Sequence, residues 1–353
     1  MLTFIVKRLL YGFWVLLGVA TLVFFLFNIL PGDPARMMLG QRADIASVEA
    51  INKELGRDKP IYVQYFSFLY DLSPLGIESK LNKGGNRVSY PISPSIKKHY
   101  LCIKAPYLRR SFQSNREVTS ILKEAFPKTL ILAAVSMGFA LILGVFLGMI
   151  NIIYPHKILN SIIFGLSIFG MSLPSFFASI LMAWLFAFVL ADYTGLNLFG
   201  SLYEVDEMGN GKYMELKNLI LPALTLGIRP LAIITELTSS SLKEVLAKDY
   251  IRTARAKGLS EWKVLKRHAL KNALNPIITT ISGWFASLLA GAVFVEYVFD
   301  WKGMGLVIVN SLEKYDFPVL MGAVLFVAVL LIIVNIIVDI FYRVIDPRVE
   351  LES

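Results

Sequence analysis

Long apolar segments alternate with polar ones along the chain, and this pattern predicts its architecture. Six mostly apolar runs of roughly 20 residues or more lie at about 9–30, 118–153, 159–190, 219–242, 277–298 and 318–342. About 20 apolar residues suffice to cross the hydrocarbon core of a bilayer, whereas a β-barrel would show short segments of alternating hydrophobicity. We therefore predict an all-α integral membrane protein with six transmembrane helices and both termini on the same side.

Prolines mark two boundaries in this pattern. The first run ends at Pro31-Gly-Asp-Pro34, a strong stop and turn signal. In the third run, Pro174 of Ser172-Leu-Pro-Ser175 predicts a kink or a break in the helix. The first run is longer than the apolar part of a signal peptide and lacks a small-residue cleavage site, so we interpret it as a retained helix.

The polar segments divide the chain into four parts. These are 1–30 with the first helix, 31–117 as a large extracytoplasmic region, 118–342 as a core of five helices, and 343–353 as a cytoplasmic tail. Within the extracytoplasmic region we predict a short amphipathic helix at 47–55 and an aromatic helix at 60–70 that is too short to span. Residues 72–107 show no clear periodicity and are predicted to form an irregular insertion.

The distribution of charge orients the helices. The chain is 56% hydrophobic, with a mean hydropathy of +0.62 and a net charge of +9. Basic residues cluster in short segments on one side, at Lys7-Arg8, His156-Lys157, 241–276 and Arg343 with Arg348. The positive-inside rule therefore places both termini in the cytoplasm of a multi-pass protein of the cell (inner) membrane. It also explains much of the charge, so nucleic acid is not predicted as a partner.

The basic region 35–116 falls on the opposite side. It is longer than the roughly 60 residues to which the positive-inside rule applies, so it does not overturn this orientation.

Motifs for chemistry are not evident in the sequence. Gly209-Asn-Gly-Lys212 lacks the first glycine and the hydroxyl residue of a phosphate-binding loop. His99, His156 and His268 are too scattered to form a metal cluster, and the single Cys102 excludes an intramolecular disulfide. We predict no catalytic residue, no metal site and no cofactor, and hence no enzymatic activity in this chain.

The basic loop, residues 243–276, has the most informative pattern. Residues 241–276 contain nine lysines and arginines but three acidic residues. We predict one helix over Lys243–Lys257, a break at Gly258-Leu259-Ser260, and a second helix over Glu261–Ala273. Glycine suits the position after a helix, and serine suits the position before one.

Two interpretations of the basic loop remain open on its pattern alone. Trp262, Leu265 and Ala269 are predicted to share one helix face, and the small residues Ala254, Ala256 and Gly258 would let another surface approach. The loop would then be a docking surface. Alternatively, it is a solvated loop whose charge only reflects membrane orientation.

A set of motifs over nearly the whole chain resembles one family. The motifs are Pro31-Gly-Asp-Pro-Ala-Arg36, Ser172-Leu-Pro-Ser-Phe176, Leu221-Pro-Ala-Leu-Thr-Leu226, Asp249-Tyr-Ile-Arg-Thr-Ala-Arg-Ala-Lys-Gly-Leu-Ser260, Arg267-His-Ala-Leu-Lys-Asn-Ala273 with Pro276, Gly291-Ala292 with Glu296 and Phe299, Trp301 with Gly303-Met-Gly305, and Asp346-Pro-Arg348. Together they are similar to the permeases of ABC transporters, specifically the dipeptide/oligopeptide importer family. Two departures are Arg252-Thr-Ala254, where the family generally has Glu-Ala-Ala, and the extra segment 72–107.

The resemblance implies a pore-forming subunit for peptides or similar small solutes, such as nickel chelates. Its expected partners are a second, related permease, two cytoplasmic ATPase subunits that hydrolyse ATP, and an extracytoplasmic solute-binding protein. The residues implied to dock on an ATPase are Arg252, Thr253, Ala254, Arg255, Ala256, Lys257, Gly258 and Leu259. The alternative function is a non-transporting scaffold that recruits a cytoplasmic partner or anionic lipid through its basic loop.

Polar residues inside the predicted spans are candidates for the translocation path. Arg229 and Glu236 lie seven residues apart and therefore on the same face of one helix. Ser172 and Ser175 lie at the predicted break, where they could equally serve close packing. Glu296 lies close enough to the end of its span to be solvated.

Overall fold

The computed structural model describes residues 2–29, 48–49, 52–53, 57–78, 89–91, 100–154, 156–206 and 211–345. The α-helices in this part of the chain are Leu2–Ile29 (α1), Ile61–Leu72 (α2), Val118–Ile153 (α3), Lys157–Ser172 (α4), Ser175–Trp184 (α5), Ala191–Thr194 (α6), Lys217–Leu246 (α7), Asp249–Ala256 (α8), Glu261–Lys263 (α9), Leu270–Ala273 (α10), Asn275–Gly291 (α11), Val293–Val298 (α12), Met304–Glu313 (α13) and Phe317–Ile345 (α14). Leu185–Val189 and Val264–Ala269 are π-helical. Residues 1–124 with 307–330 form one compact unit, and 125–306 with 331–353 form a second.

The long helices support a multi-pass membrane protein. Within the described ranges, four helices are long and apolar enough to cross a membrane, namely Val6–Leu26, Val118–Ile153, Lys217–Leu246 and Phe317–Ile340. The pair Lys157–Ser172 and Ser175–Val189 adds a fifth span if the two are counted together. The predicted fifth run is divided at Ala292 into α11 and α12. A total of six spans therefore stays a prediction.

The predicted break at Pro174 is confirmed. α4 ends at Ser172, α5 begins at Ser175, and the two helices are bent by 114°. Leu173 and Pro174 both have extended backbone, with ψ angles of 129° and 136°. Proline has no N–H group and clashes with the preceding helical turn, which favours a break at this position. A proline does not end every helix of this chain, since α3 contains Pro127 and α7 contains Pro222 and Pro230.

In the second unit, α3 and α7 approach closely at glycine residues. A Cβ atom on Gly148 would lie 2.5 Å from the Cβ of Thr238, and one on Gly144 would lie 3.0 Å from the carbonyl oxygen of Leu231. Glycines four residues apart let two membrane helices come into backbone contact. The Gly144-x-x-x-Gly148 spacing is visible in the sequence, although it was not among the motifs used above.

In the first unit, aromatic rings join α1 to α2. Phe24 stacks on Phe68 with ring centroids 5.5 Å apart, and the hydroxyls of Thr21 and Tyr65 are 2.7 Å apart. Asp316, just before α14, accepts hydrogen bonds from the hydroxyl of Ser111 and the backbone N–H of Phe112. The predicted helix at 60–70 is thereby confirmed as α2. Of the helix predicted at 47–55, the structure describes only residues 48–49 and 52–53, which are helical.

The prediction of an irregular insertion at 72–107 is wrong for its described part. Leu75–Glu78 (β1), Ser89–Pro91 (β2) and Tyr100–Lys104 (β3) form an antiparallel sheet in the order β1-β3-β2. The strands are short, and only β3 is paired on both sides. Strands of this length carry too few residues for a period-2 pattern to stand out in the sequence. In the second unit, Tyr203–Val205 (β4) and Lys212–Met214 (β5) form an antiparallel pair within the acidic loop that precedes α7.

We predict that Gly148→Leu disrupts the contact between α3 and α7. The new side chain would meet Thr238 and the carbonyl oxygen of Thr235, which lies 2.9 Å from an ideal Cβ. Overpacking of this kind costs about 1–3 kcal/mol. The expected result is a lower thermal midpoint in detergent, together with a lower yield from membranes.

Gly138→Leu is the matched control, because it lies on the same helix and a Cβ there has no neighbour within 4 Å. Equal stability of the two variants would contradict the glycine contact.

Candidate functional site

The basic loop begins with a turn that the sequence did not indicate. The predicted helix over Lys243–Lys257 is wrong, because α7 ends at Leu246 and α8 begins at Asp249. Lys248 between them is extended, with ψ of 150°. The turn directs Ile251 and Ala254 of α8 into a buried apolar cluster with Leu242 and Val245 of α7. Burial of this face, rather than a local breaker, therefore sets the helix boundary.

The break at Gly258 is confirmed, and it has the geometry of a Schellman motif. Gly258 has φ of +77°, and its N–H bonds to the carbonyl of Arg255 at 2.9 Å. The N–H of Leu259 bonds to the carbonyl of Ala254 at 3.4 Å. A Cβ at Gly258 would have no neighbour within 4 Å. Glycine is therefore favoured here by the left-handed backbone and not by lack of space.

The second helical segment starts at Glu261 as predicted, but it is only partly α-helical. α9 continues as a π-helix over Val264–Ala269 and ends with α10. Ser260 precedes it with extended backbone but makes no side-chain capping hydrogen bond. Instead, both carboxylate oxygens of Glu261 accept from Arg255, at 2.8 and 3.0 Å. This ion pair joins the two arms of the loop.

The predicted common face of Trp262, Leu265 and Ala269 is wrong. Leu265 and Ala269 are buried in the cluster, whereas the side chain of Trp262 is 59% exposed. The prediction used a period of 3.6 residues, and the π-helical turn has a longer one. Val264 occupies the buried position instead, with no exposure to solvent.

The structure separates the eight predicted docking residues into different environments. Six of them are exposed, namely Arg252, Thr253, Arg255, Ala256, Lys257 and Gly258. Leu259 is half-buried and packs against the apolar cluster. Ala254 is 6% exposed and belongs to that cluster, so the prediction that it would let another surface approach is wrong. The available docking surface is accordingly one side of α8 and the turn after it.

The four predicted path residues are only partly brought together. Arg229 and Glu236 are both exposed on α7, as expected for residues on one face. Arg229 and Ser175 line the same cleft, which has a volume of about 90 Å³. Glu236 does not line this cleft. Ser172 lies outside it too, and its hydroxyl donates to the carbonyl of Ile168 at 2.8 Å.

The guanidinium of Arg229 is held at the helix break. Its Nε and Nη2 atoms donate to the carbonyl oxygen of Met171 at 3.3 and 3.2 Å. In an unbroken helix this carbonyl would accept from the N–H of residue 175. The break at Pro174 therefore creates an acceptor that a cation from a different helix satisfies.

Glu296 is not solvated, so that expectation is wrong. Its side chain is fully buried and accepts from the hydroxyl of Thr129 at 2.6 Å and from the N–H of Gly305 at 2.6 Å. The N–H of Met304 in turn donates to the hydroxyl of Thr129 at 2.8 Å. A Cβ on Gly303 would lie 2.5 Å from a carboxylate oxygen. The spacing Gly303-x-Gly305 thus allows the chain to wrap a buried carboxylate.

Comparison with known protein families assigns the chain. The family model described as "Binding-protein-dependent transport system inner membrane component" matches residues 140–351, and the corresponding N-terminal model matches residues 1–83. The chain belongs to this family. It is therefore a membrane component of a binding-protein-dependent transport system, and the scaffold alternative is not supported.

Several relatives align over almost their full length with this permease. It is 34% identical to the probable D,D-dipeptide transport system permease protein DdpB of Escherichia coli, over 95% of this chain and 94% of the relative. It is also 34% identical to the di/tripeptide transport system permease protein DppB of Pseudomonas aeruginosa, over 99% of each chain. The glutathione transport system permease protein GsiC of Pectobacterium atrosepticum is 32% identical over 99% of each chain. These relatives are named as transport permeases and not as enzymes.

A solved structure has the same fold in part of the permease. A chain from the inward-facing MetNI methionine ABC transporter matches with a TM-score of 0.50 and 15% identity. The match covers 65% of this chain and 97% of that one. At this identity the likeness concerns the fold alone. It agrees with a helical core of the ABC permease type.

We predict that Thr129→Val destabilises the permease. Valine keeps the shape of threonine but leaves one Glu296 oxygen and the N–H of Met304 without the hydroxyl that each contacts. A buried polar group left without a partner costs about 1–3 kcal/mol. The thermal midpoint of the purified protein in detergent should fall accordingly.

Thr129→Ser retains the hydroxyl and serves as the control. If serine destabilised the protein more than valine, the methyl group and not the hydrogen bonds would be what matters.

Proposed function

We propose that the protein is the transmembrane permease subunit of an ABC importer, which moves peptides or similar small solutes into the cell. The relatives support this, since three of them are named for D,D-dipeptides, di- and tripeptides, and glutathione. All three solutes are short peptides or peptide-like. The sequence alone does not select one among them, because the binding protein of such a system delivers the solute.

The proposed topology has six transmembrane spans, with both termini in the cytoplasm. The membrane is proposed to be the inner membrane of the cell. Residues 31–117 are extracytoplasmic, 118–342 form the permease core and 343–353 a cytoplasmic tail. Support comes from the basic segments at Lys7-Arg8 and in the 243–276 loop, which follow the positive-inside rule. The four long helices and the bent pair supply up to five of these spans within the described ranges.

The proposed partners follow from the family's dependence on a binding protein. They are an extracytoplasmic solute-binding protein, a second identical or related permease, and two cytoplasmic ATPase subunits on which ATP is hydrolysed. Within this chain, the proposed path residues are Ser172, Ser175, Arg229 and Glu236. Arg229 and Glu236 lie on the exposed face of α7. A charged side chain inside a span is stabilised by water or by a protein partner and not by lipid.

One observation carries the proposed coupling role of Arg252–Leu259. The exposed side of α8 ends in a Schellman turn, while its opposite side packs through Ile251 and Ala254 into the apolar cluster. Leu242 and Val245 of α7 belong to this cluster, and Met149 and Ile152 at the end of α3 pack against it. Close-packed interiors transmit displacement rather than absorb it. An ATPase that moves α8 would therefore move the cytoplasmic ends of two long helices.

We predict that Ala256→Trp blocks ATPase docking. Ala256 is exposed on α8, so an indole there would fill the space a partner must enter without disturbing the apolar cluster. The variant should remain in the membrane, lose co-purification of the ATPase subunits from mild detergent, and lose ATP-dependent uptake of dialanine. Ala247→Trp is the control, since Ala247 is also exposed but lies before α8. Retained co-purification and uptake by Ala256→Trp would refute docking at this surface.

A further inference from the structure

The polar side chains that line the cleft beside the Pro174 break can all donate hydrogen bonds. Its walls come from α4, α5, α7 and α11 and include Ser175, Thr225, Arg229, Trp284 and Ser287. Each of these side chains can donate a hydrogen bond, and none of the lining residues is acidic. Thr225 is already committed, because its hydroxyl donates to the carbonyl of Leu221 at 2.7 Å. Ser175, Arg229, Trp284 and Ser287 remain as hydrogen-bond donors, and Arg229 among them carries a positive charge.

Several of these donors are unused. Within the described part of the chain, the hydroxyls of Ser175 and Ser287 and the indole N–H of Trp284 have no hydrogen-bond partner. A guanidinium has five N–H donors, and the two bonds from Arg229 go to one acceptor, the carbonyl of Met171. The other three donors, including both on Nη1, remain available. A group that accepts several hydrogen bonds and carries negative charge would match this set.

The position of Arg229 excludes a lipid-facing role. It is the thirteenth of 30 residues in α7, about 18 Å from the start of that helix, and its side chain is exposed. An arginine this deep in a span is costly in hydrocarbon, so it faces water or another protein surface. The Met171 carbonyl prevents the guanidinium from swinging away. It is a cation fixed at the helix break.

We propose that this cleft binds a carboxylate of the transported solute during passage. Arginine pairs with carboxylates through two parallel hydrogen bonds, and the neighbouring serines can complete the shell of the two oxygens. A volume of about 90 Å³ accommodates a carboxylate and its nearest atoms but not a whole peptide. The site would therefore recognise the end that all peptides share and ignore their side chains. This inference rests on the proposed import of peptides.

A purely structural role for Arg229 is the competing explanation. Capping the Met171 carbonyl would stabilise the helix break whatever the solute is. The two explanations differ in one respect, since only carboxylate binding makes the effect of a substitution depend on the solute. The test therefore compares solutes within each variant.

The experiment uses the complete transporter, with both permeases, the ATPases and the binding protein, in proteoliposomes. The solutes are trialanine and trialanine amide, both first verified to bind the binding protein. For Arg229→Gln, we expect kcat/KM for trialanine to fall about tenfold, the effect of losing a charge-assisted hydrogen bond. Transport of the amide should change less than twofold. Arg229→Lys keeps the charge and should retain most of the preference for trialanine.

Lys7→Gln is the matched control, because it removes the same charge from an exposed position on α1, outside the cleft and outside the basic loop. It should alter neither solute. Ser287→Ala is a second test that leaves the Met171 contact intact, and it should reduce trialanine transport about threefold without affecting the amide. If Arg229→Gln fails to accumulate in membranes, the Ser287→Ala variant tests the carboxylate-binding proposal instead.

The source of the carboxylate is distinguished with Ala-Glu-Ala amide and Ala-Gln-Ala amide. A preference for the glutamate peptide that Arg229→Gln abolishes would show that side-chain carboxylates use the cleft too. An equal loss of trialanine and trialanine amide in Arg229→Gln, or a loss of neither, would overturn the proposal. If the wild-type transporter carries none of these peptides with ATP, the proposed function itself is wrong and the carboxylate site falls with it.

Discussion

Polar groups in the hydrocarbon core of a bilayer have no water to bond with, and this constraint accounts for several hydrogen bonds in the permease. Hydroxyls of Ser136, Thr225 and Thr238 donate to carbonyls one turn earlier in their own helices. The carbonyl freed at Pro174 receives the guanidinium of Arg229. The carboxylate of Glu296 collects a hydroxyl and backbone N–H groups. The break beside Pro174 and the buried Glu296 are thus each matched by donors from elsewhere in the chain.

Close packing joins α3, α7 and the basic loop, whereas the charged side of α8 is exposed. The glycines of α3 let its backbone approach α7, and Asn151 near the end of α3 donates to the hydroxyl of Ser239 at 2.9 Å. The apolar cluster of the basic loop continues this packing to α8 and the segment that follows it. The charged side of α8 faces outward instead. Under the proposed coupling role, displacement of that side would reach α3 and α7 through the residues of the apolar cluster.

Two of the arginines in the basic loop form ion pairs within the loop. Arg252 pairs with Asp249 at 3.4 Å, and Arg255 pairs with Glu261, so these two cations stabilise the loop itself. Exposed ion pairs of this type contribute little individually. Of the two pairs, Arg255–Glu261 joins residues on both sides of the turn at Gly258. The shape of the loop depends on Gly258 and on the buried apolar face.

Local patterns in the sequence determined the apolar spans, the break at Pro174, the helix end at Gly258 and the start at Glu261. Each depends on residues within a few positions of one another, through hydrophobic length, a missing N–H or a left-handed backbone. The family motifs were likewise legible in the sequence. The short strands between residues 75 and 104 were not predicted, because their alternation of apolar and polar residues covers too few positions.

Tertiary structure alone decided which side of the loop is exposed and which partners Glu296 and Arg229 contact. Ala254 is buried and Trp262 exposed because α8 folds back onto α7 and a π-helical turn shifts the next face. Thr129 and Glu296 are 167 residues apart in the chain, and Met171 and Arg229 are 58 apart. No pattern of period 2 or 3.6 reports contacts over such separations. They arise only once packed helices bring distant donors and acceptors together, and for that reason the cleft beside Pro174 could not be read from the sequence.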